Sequence, residues 1–248
     1  MKKLTLVIFF AATTLSTLAQ QLTVTKYWNK NGDSTGKDNA SHYSVINYTD
    51  ATKEFYTTKY YSIDGHLQSE ISYRDTGKNW IYEGNYLAYH DNGKHKITAI
   101  YKKGKLHGEV TTWHANGQLK RKDVYEQDSL ITGKCYTATG QDTAWFPFKI
   151  SFSYKNGMQD VYSFVGRNIK YPKAARKNEI QGEVRIQFVI QKDGSLTNER
   201  IRKSVNEEID DEAMRVFRLI PARWQPALID GEPARGYGIL PISFRLEG

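Results

Sequence analysis

Two groups of side chains in this sequence have the residue types that bind metals or transfer protons. His90 and His114 occupy the same place in neighbouring repeats, and Asp210, Asp211 and Glu212 are consecutive carboxylates. Equivalent places in successive hairpins lie two strands apart, about 9.6 Å at about 4.8 Å per strand. Two imidazoles at that separation cannot share one zinc ion, because each Zn–N distance is about 2.1 Å. The carboxylates lie where a helix is predicted to begin, and the helix dipole favours them there. We therefore predict no catalytic residue and no metal site.

The remaining sequence contains no other signature of catalysis or of nucleic-acid binding. It has no G-x-S-x-G nucleophile elbow, no P-loop and no dinucleotide-binding fingerprint. Lys and Arg number 18 against 15 Asp and Glu in residues 21–165, and 15 against 12 in residues 166–248. Neither half is therefore a concentrated basic patch of the kind that binds nucleic acid. We predict a protein that is not an enzyme, binds no cofactor and no nucleic acid, and has a protein partner.

Residues 1–20 have the layout of a secretory signal peptide. Lys2 and Lys3 precede an apolar run over residues 4–19, which ends in small residues. We expect cleavage after this segment and a periplasmic mature chain without a transmembrane helix. The alternative is an inner-membrane anchor through residues 4–19, although this run is shorter than the roughly 20 residues needed to span a bilayer. Cys135 is the single cysteine, so the fold is held by an apolar core and not by an internal disulfide.

A repeat occupies the N-terminal region, predicted as residues 21–157. Its turns read Y-S-I-D-G, Y-H-D-N-G, W-H-A-N-G and Y-T-A-T-G, and their glycines are Gly65, Gly93, Gly117 and Gly140. Asn-Gly and Asp-Gly are typical of tight hairpin turns with two positive-φ residues, and the intervening segments alternate as strands do. We predict an antiparallel β-meander of three or four hairpins. These units resemble the MORN repeat variant, most clearly over residues 104–117.

The C-terminal region, predicted as residues 158–248, has an α+β pattern. A strand begins at Gly182 with apolar residues at every second position, and Asp193-Gly194 is predicted to turn it into a second strand. Residues 207–220 have a helical apolar stripe, and a short helix is predicted after Tyr171-Pro172. The last strand follows a turn at Asp230-Gly231. We predict a three-stranded antiparallel sheet with two helices.

Five motifs follow one another in this region: Y-P-K-A-A-R at 171–176, I-Q-G-E-V-R-I-Q-F-V-I at 180–190, K-D-G-S at 192–195, W-Q-P-A at 224–227 and L-P-I-S-F at 240–244. Together they resemble the C-terminal domain of TonB. The resemblance implies that the last strand captures an extended segment of an outer-membrane TonB-dependent receptor by strand addition. Pro241 agrees with this, because proline in a sheet belongs on an edge strand. The implied partner-binding residues are Tyr237, Gly238, Ile239, Leu240, Pro241, Ile242, Ser243 and Phe244.

The chain also departs from an energy-transducing TonB. It has six prolines, none before Pro147, and so lacks a Pro-rich spacer of the kind that extends a linker. Engagement of an inner-membrane motor therefore stays open, and we expect a role in transmembrane transport through receptor binding. The alternative is an envelope scaffold or recognition protein whose repeat sheet binds a glycan, peptidoglycan or a protein. The oligomeric state stays open, with a homodimer as one alternative.

Overall fold

A computed structural model describes residues 23–246, so the predicted signal peptide, residues 1–20, lies outside the described part of the chain. One antiparallel sheet of 11 strands occupies the N-terminal region, in the order β11-β10-β9-β8-β7-β6-β5-β4-β3-β1-β2. Its strands are β1 (Thr23–Trp28), β2 (Ser34–Thr35), β3 (His42–Tyr48), β4 (Phe55–Ser62), β5 (Leu67–Asp75), β6 (Trp80–Tyr89), β7 (His95–Lys102), β8 (Lys105–Trp113), β9 (Leu119–Glu126), β10 (Ser129–Tyr136) and β11 (Asp142–Thr143). From β3 onward each strand pairs with the next along the chain, so the predicted meander is confirmed.

The turns with the repeated glycine differ from the predicted two-residue type. In the β6–β7 turn the His90 N–H donates to the Lys94 carbonyl at 2.9 Å and the Gly93 N–H donates to the His90 carbonyl at 2.8 Å. Only the glycine has a positive φ, 77°, so the prediction of two left-handed residues was wrong here. The Asn92 carboxamide oxygen instead accepts from the Lys94 N–H at 3.1 Å. Asparagine stabilises this wider turn through its side chain.

Side chains of one turn also bond to the backbone of the turn two strands away. The His90 imidazole Nε2 donates to the Trp113 carbonyl at 2.9 Å, and His114 does the same to the Tyr136 carbonyl at 2.9 Å. Asn92 donates to the Ala115 carbonyl at 2.8 Å. The repeated His and Asn therefore hold neighbouring hairpins in register, which gives both histidines a structural role.

The C-terminal region, together with residues 149–157 that precede its predicted start, forms a small α+β unit around one core. Its elements are β12 (Lys149–Ile150), β13 (Ser153–Tyr154), α1 (Met158–Asn168), α2 (Lys173–Lys177), β14 (Gly182–Ile190), β15 (Leu196–Lys203), α3 (Glu207–Arg218), β16 (Trp224–Gln225), β17 (Ala227–Ile229), β18 (Glu232–Ala234) and β19 (Gly236–Phe244). The main sheet has the order β15-β14-β19. The predicted fold class is confirmed, and α1 is a helix that the sequence analysis did not identify.

Apolar side chains of β14 and α3 form the centre of this core. Val184, Ile186, Phe188 and Ile190 of β14 face Ile209, Ala213, Val216 and Phe217 of α3, and each is at most 1% exposed. Burying a large aliphatic or aromatic side chain contributes about 1.5–3 kcal/mol. Asn206 begins α3, since its side chain accepts from the Ile209 N–H at 3.1 Å. The predicted alternation of β14 and the predicted stripe of α3 therefore both form the core.

The C-terminal region packs against one face of the large sheet, here called the inner face, which carries Ile71, Val110 and Arg121. Arg121 is 0% exposed and donates to the Asp230 carboxylate at 2.8 Å and the Asp123 carboxylate at 2.6 Å. Asp230 and Gly231 both have positive φ, 53° and 80°, and form the turn between β17 and β18. This buried ion pair joins the repeat sheet to the C-terminal region.

Candidate functional site

The predicted binding strand lies at the border of its sheet. β19 pairs with β14 along its whole length, from Gly236 opposite Ile190 to Phe244 opposite Gly182. In the described part of the chain no strand pairs with its other side. The main-chain groups on that side are therefore free to pair with an added strand.

The residues of β19 alternate between core and surface. Gly238, Leu240, Ile242 and Phe244 are buried, whereas Tyr237 is 68% and Ile239 is 55% exposed. Glycine at 238 is required, because a Cβ atom there would lie 2.4 Å from Cζ of Phe188. Of the eight predicted partner-binding residues, the buried four thus hold the strand in place. Tyr237, Ile239, Pro241 and Ser243 are the ones that direct side chains outward.

Pro241 indicates which main-chain groups face the free edge. It lies opposite Arg185 of β14, and a proline in a strand is tolerated where its nitrogen points away from the neighbouring strand. Main-chain groups in an antiparallel strand change direction at each residue. The amides of Tyr237, Ile239 and Ser243 therefore point to the free edge, together with the carbonyls of all four residues.

The other motifs of the TonB-like region support the fold. The Tyr171 hydroxyl donates to the Ile180 carbonyl at 2.6 Å, and its ring lies edge-on to Phe244 at 5.8 Å. A Cβ at Gly182 would lie 2.6 Å from Val205, and one at Gly194 would lie 2.5 Å from the Trp224 carbonyl oxygen. These contacts give the motifs packing roles behind the edge strand.

A cleft of about 1130 Å³ lies between the inner face of the repeat sheet and a second wall formed by the β14–β15 turn and the start of β19. Tyr237 belongs to its lining as well as to the free edge. The opposite wall carries aromatic side chains of the repeat strands, namely Trp28, Tyr56, Tyr60, Tyr73, Trp80, Tyr82 and Tyr86. Burial raises the pKa of Tyr86 to about 12, so its phenol stays neutral at physiological pH. This cleft could not be predicted from the sequence, because it depends on how the two regions pack.

Cations outnumber carboxylates around this cleft. Lys26, Lys30, Lys192 and Arg235 line it, and Asp193 is the one acidic residue of the lining. The Asp193 carboxylate already accepts from the Ser195 N–H at 2.9 Å and from the Ser195 hydroxyl at 2.6 Å. Arg235 donates to the Gln191 side chain at 2.9 Å and to the Lys30 carbonyl, which connects the two walls of the cleft. Burial, and then the charge of Arg235, lowers the pKa of His42.

Two of the three carboxylates considered for chemistry are held in structural contacts. Asp210 accepts from the Val205 N–H at 3.0 Å, and Glu212 accepts from Arg215 at 2.6 Å and from the Lys170 N–H at 2.6 Å. Cys135 is buried in β10. Within residues 23–246 there is no group of three or more His, Cys, Asp or Glu side chains arranged to hold a metal ion.

Comparison with protein families agrees with this geometry. Residues 167–246 match the family model of the Gram-negative bacterial TonB protein C-terminal. Residues 82–103 and 106–127 match the MORN repeat variant. The two repeats correspond to the β6–β7 and β8–β9 hairpins, so the predicted resemblances and their order along the chain are confirmed. Searches of curated proteins and of solved structures both found no match.

The TonB-like match over residues 167–246 suggests a transport-related protein, and domains of that family interact with other proteins. That family is non-enzymatic and periplasmic, which fits the predicted class and location. Over the residues that the structure covers, no helix has the length and apolar character needed to cross a membrane.

Proposed function

We propose that this protein is a periplasmic, non-enzymatic adaptor that binds outer-membrane transporters by adding an extended transporter segment to β19. The observation that carries the proposal is the free edge of β19, a strand that belongs to the region matching the TonB C-terminal domain. Main-chain hydrogen bonds would supply affinity, and the outward side chains would supply selectivity.

Strand addition requires the Ile239 amide to donate a hydrogen bond to the added segment. Ile239→Pro removes that outward N–H, whereas Ile239→Thr keeps the N–H and removes the apolar side chain. Because Ile239 is 55% exposed, we expect both variants to leave the core intact. We expect Ile239→Pro to weaken binding about tenfold, from one lost hydrogen bond and the steric effect of the ring on the added strand. Ile239→Thr should retain most of the affinity.

The assay is capture of extended plug segments of outer-membrane receptors by the purified full-length protein. Peptides methylated at alternate main-chain nitrogens provide an independent test. Methylation of the nitrogens that face β19 should abolish binding, and methylation of the others should not. Equal binding by Ile239→Pro and the parent, or equal binding by both methylated series, would contradict strand addition.

A further inference from the structure

The cleft beside β19 has features that the proposed strand addition does not require. It continues from Tyr237, at the start of the free edge, to the aromatic side chains of the inner face. Tyr56 and Tyr73 stack with ring centroids 5.3 Å apart, Tyr73 lies 5.3 Å from Tyr82, and the Tyr60 and Tyr73 hydroxyls are hydrogen-bonded at 3.3 Å. The aromatic wall is therefore ordered before any ligand arrives.

The cleft carries a positive charge that the protein itself leaves uncompensated. Among the described residues, no carboxylate lies within ion-pair distance of Lys26, Lys30, Lys192 or Arg235. The single lining carboxylate, Asp193, is bonded to Ser195. Lys26 and Lys192 project from opposite walls, one from β1 and the other from the β14–β15 turn. The cleft therefore favours a negatively charged occupant that bridges the two walls.

We propose that the repeat sheet and β19 form one composite site for an acidic, aromatic, extended polypeptide segment. The segment pairs with β19, continues past Tyr237, and inserts an aromatic side chain between the walls while its carboxylates meet the lysines. This inference rests on the proposed strand addition and identifies the chemistry of the partner. A polypeptide is favoured over a glycan because the cleft is continuous with a free strand edge, which selects for an extended main chain.

The test uses fluorescent 12-residue peptides that share an alternating Thr-Val strand segment. One series ends in Asp-Phe-Asp, a second in Asp-Ala-Asp and a third in Lys-Phe-Lys. Each ending is placed at either terminus, because the direction of pairing decides which end lies beside Tyr237. Anisotropy titration should give the Asp-Phe-Asp peptide about tenfold tighter binding than either of the others.

Charge reversal in the cleft should remove this preference. Lys26→Glu combined with Lys192→Glu changes two exposed side chains and should abolish the discrimination between Asp-Phe-Asp and Lys-Phe-Lys. The matched control, Lys102→Glu with Lys134→Glu, changes two exposed lysines whose positions in β7 and β10 alternate with the inward-facing Tyr101 and Cys135. It should preserve the discrimination.

The outcomes separate this inference from the proposed function. If all peptides bind equally and Ile239→Pro weakens each of them, strand addition stands and the composite site is refuted. If no peptide binds and no receptor segment is captured, the proposed function itself fails. If a disaccharide-tetrapeptide fragment of peptidoglycan binds, and only the Lys26→Glu/Lys192→Glu variant loses it while the peptides show no preference, the cleft is a glycan site and the inference is overturned.

Discussion

Replacing Arg121 with methionine tests the contact that fixes the C-terminal region to the repeat sheet. The guanidinium is fully buried, donates to Asp230, to Asp123 and to the Phe146 carbonyl at 2.8 Å, and lies 4.4 Å from the centre of the Phe146 ring. Burial alone would lower the pKa of Arg121, but its hydrogen bonds to the two carboxylates raise it above the usual value. The group therefore stays charged, and its removal leaves buried carboxylates behind.

The expected loss of unfolding free energy depends on which carboxylates lose their cationic partner. Asp230 keeps an ion pair with Lys120 at 3.0 Å. Asp123 has a fully buried side chain, and Arg121 is its cation partner in the described structure. Hydrogen bonds from Trp145 at 3.1 Å and Tyr125 at 3.2 Å remain. Breaking a buried ion pair by removing one partner costs about 3–5 kcal/mol of unfolding free energy, and we expect Arg121→Met to lie in this range.

Urea denaturation followed by far-UV circular dichroism and Trp fluorescence measures this loss. The matched control is Lys122→Met, the next residue in β9, whose side chain is 56% exposed and pairs with Glu109 at 3.3 Å. It should cost less than about 1 kcal/mol. A second variant, Arg121→Met with Asp123→Asn, should be more stable than Arg121→Met alone because the uncompensated charge is gone. Equal losses for Arg121→Met and Lys122→Met, or a double variant that is less stable still, would refute the reasoning.

Three further predictions concern the β19 core, an acid-sensitive contact and the repeat turns. Gly238→Ala should destabilise the fold by about 1–3 kcal/mol through overpacking, because its Cβ would lie 2.4 Å from Phe188. Gly166 lies in α1, and a Cβ there would have nothing within 4 Å, so Gly166→Ala should stabilise the fold by about 0.5–1 kcal/mol. Urea midpoints that shift in the same direction for both glycine variants would contradict these two predictions. The hydrogen bond from Arg215, and then that from the Lys170 N–H, lowers the pKa of Glu212 below 4.5. Glu212 therefore stabilises the fold above about pH 4.5 and loses this effect as the pH falls through its folded pKa. Glu212→Gln should cost about 1 kcal/mol at pH 7 and progressively less as the pH falls through the folded pKa of Glu212, and a gap independent of pH would refute the assignment. Asn116→Ala removes bonds to the Ala138 carbonyl and from the Gln118 N–H, both 2.9 Å, and should cost about 1–2 kcal/mol. Asn85 in β6 is exposed, and Asn85→Ala should change stability by less than about 0.5 kcal/mol. If thermal unfolding shows Asn85→Ala to be the less stable variant, the hydrogen bonds between neighbouring turns do not have the stabilising role assigned to them.

Periodic features of the chain were predictable from the sequence. Apolar residues at every second position of β14 and at helical spacing in α3 are set by burial of one face, and both elements form where expected. Pro241 indicated an edge strand because of its missing amide, and β19 lies at the border of its sheet.

Features that depend on distant partners were not predictable. Arg121 meets Asp230 across 109 residues of chain, and a charged residue in an alternating strand gives no sign of burial by itself. Helix α1 was missed because its sequence contains glycine, valine and aromatic residues with low helix propensity. It is stabilised by Val161 and Val165, which pack into the C-terminal core. The turn conformation was mispredicted because the asparagine acts through its side chain, which the dipeptide pattern does not distinguish.

Amide hydrogen exchange along β19, followed by NMR with and without a captured receptor segment, tests the central claim most directly. In the free protein the amides of Leu240 and Ile242 should be protected by β14, whereas those of Tyr237, Ile239 and Ser243 should exchange rapidly. Addition of the segment should slow exchange at the latter three. If those three amides are already as protected in the free protein as Leu240 and Ile242, or stay unprotected when the segment is bound, the edge of β19 is not the docking site.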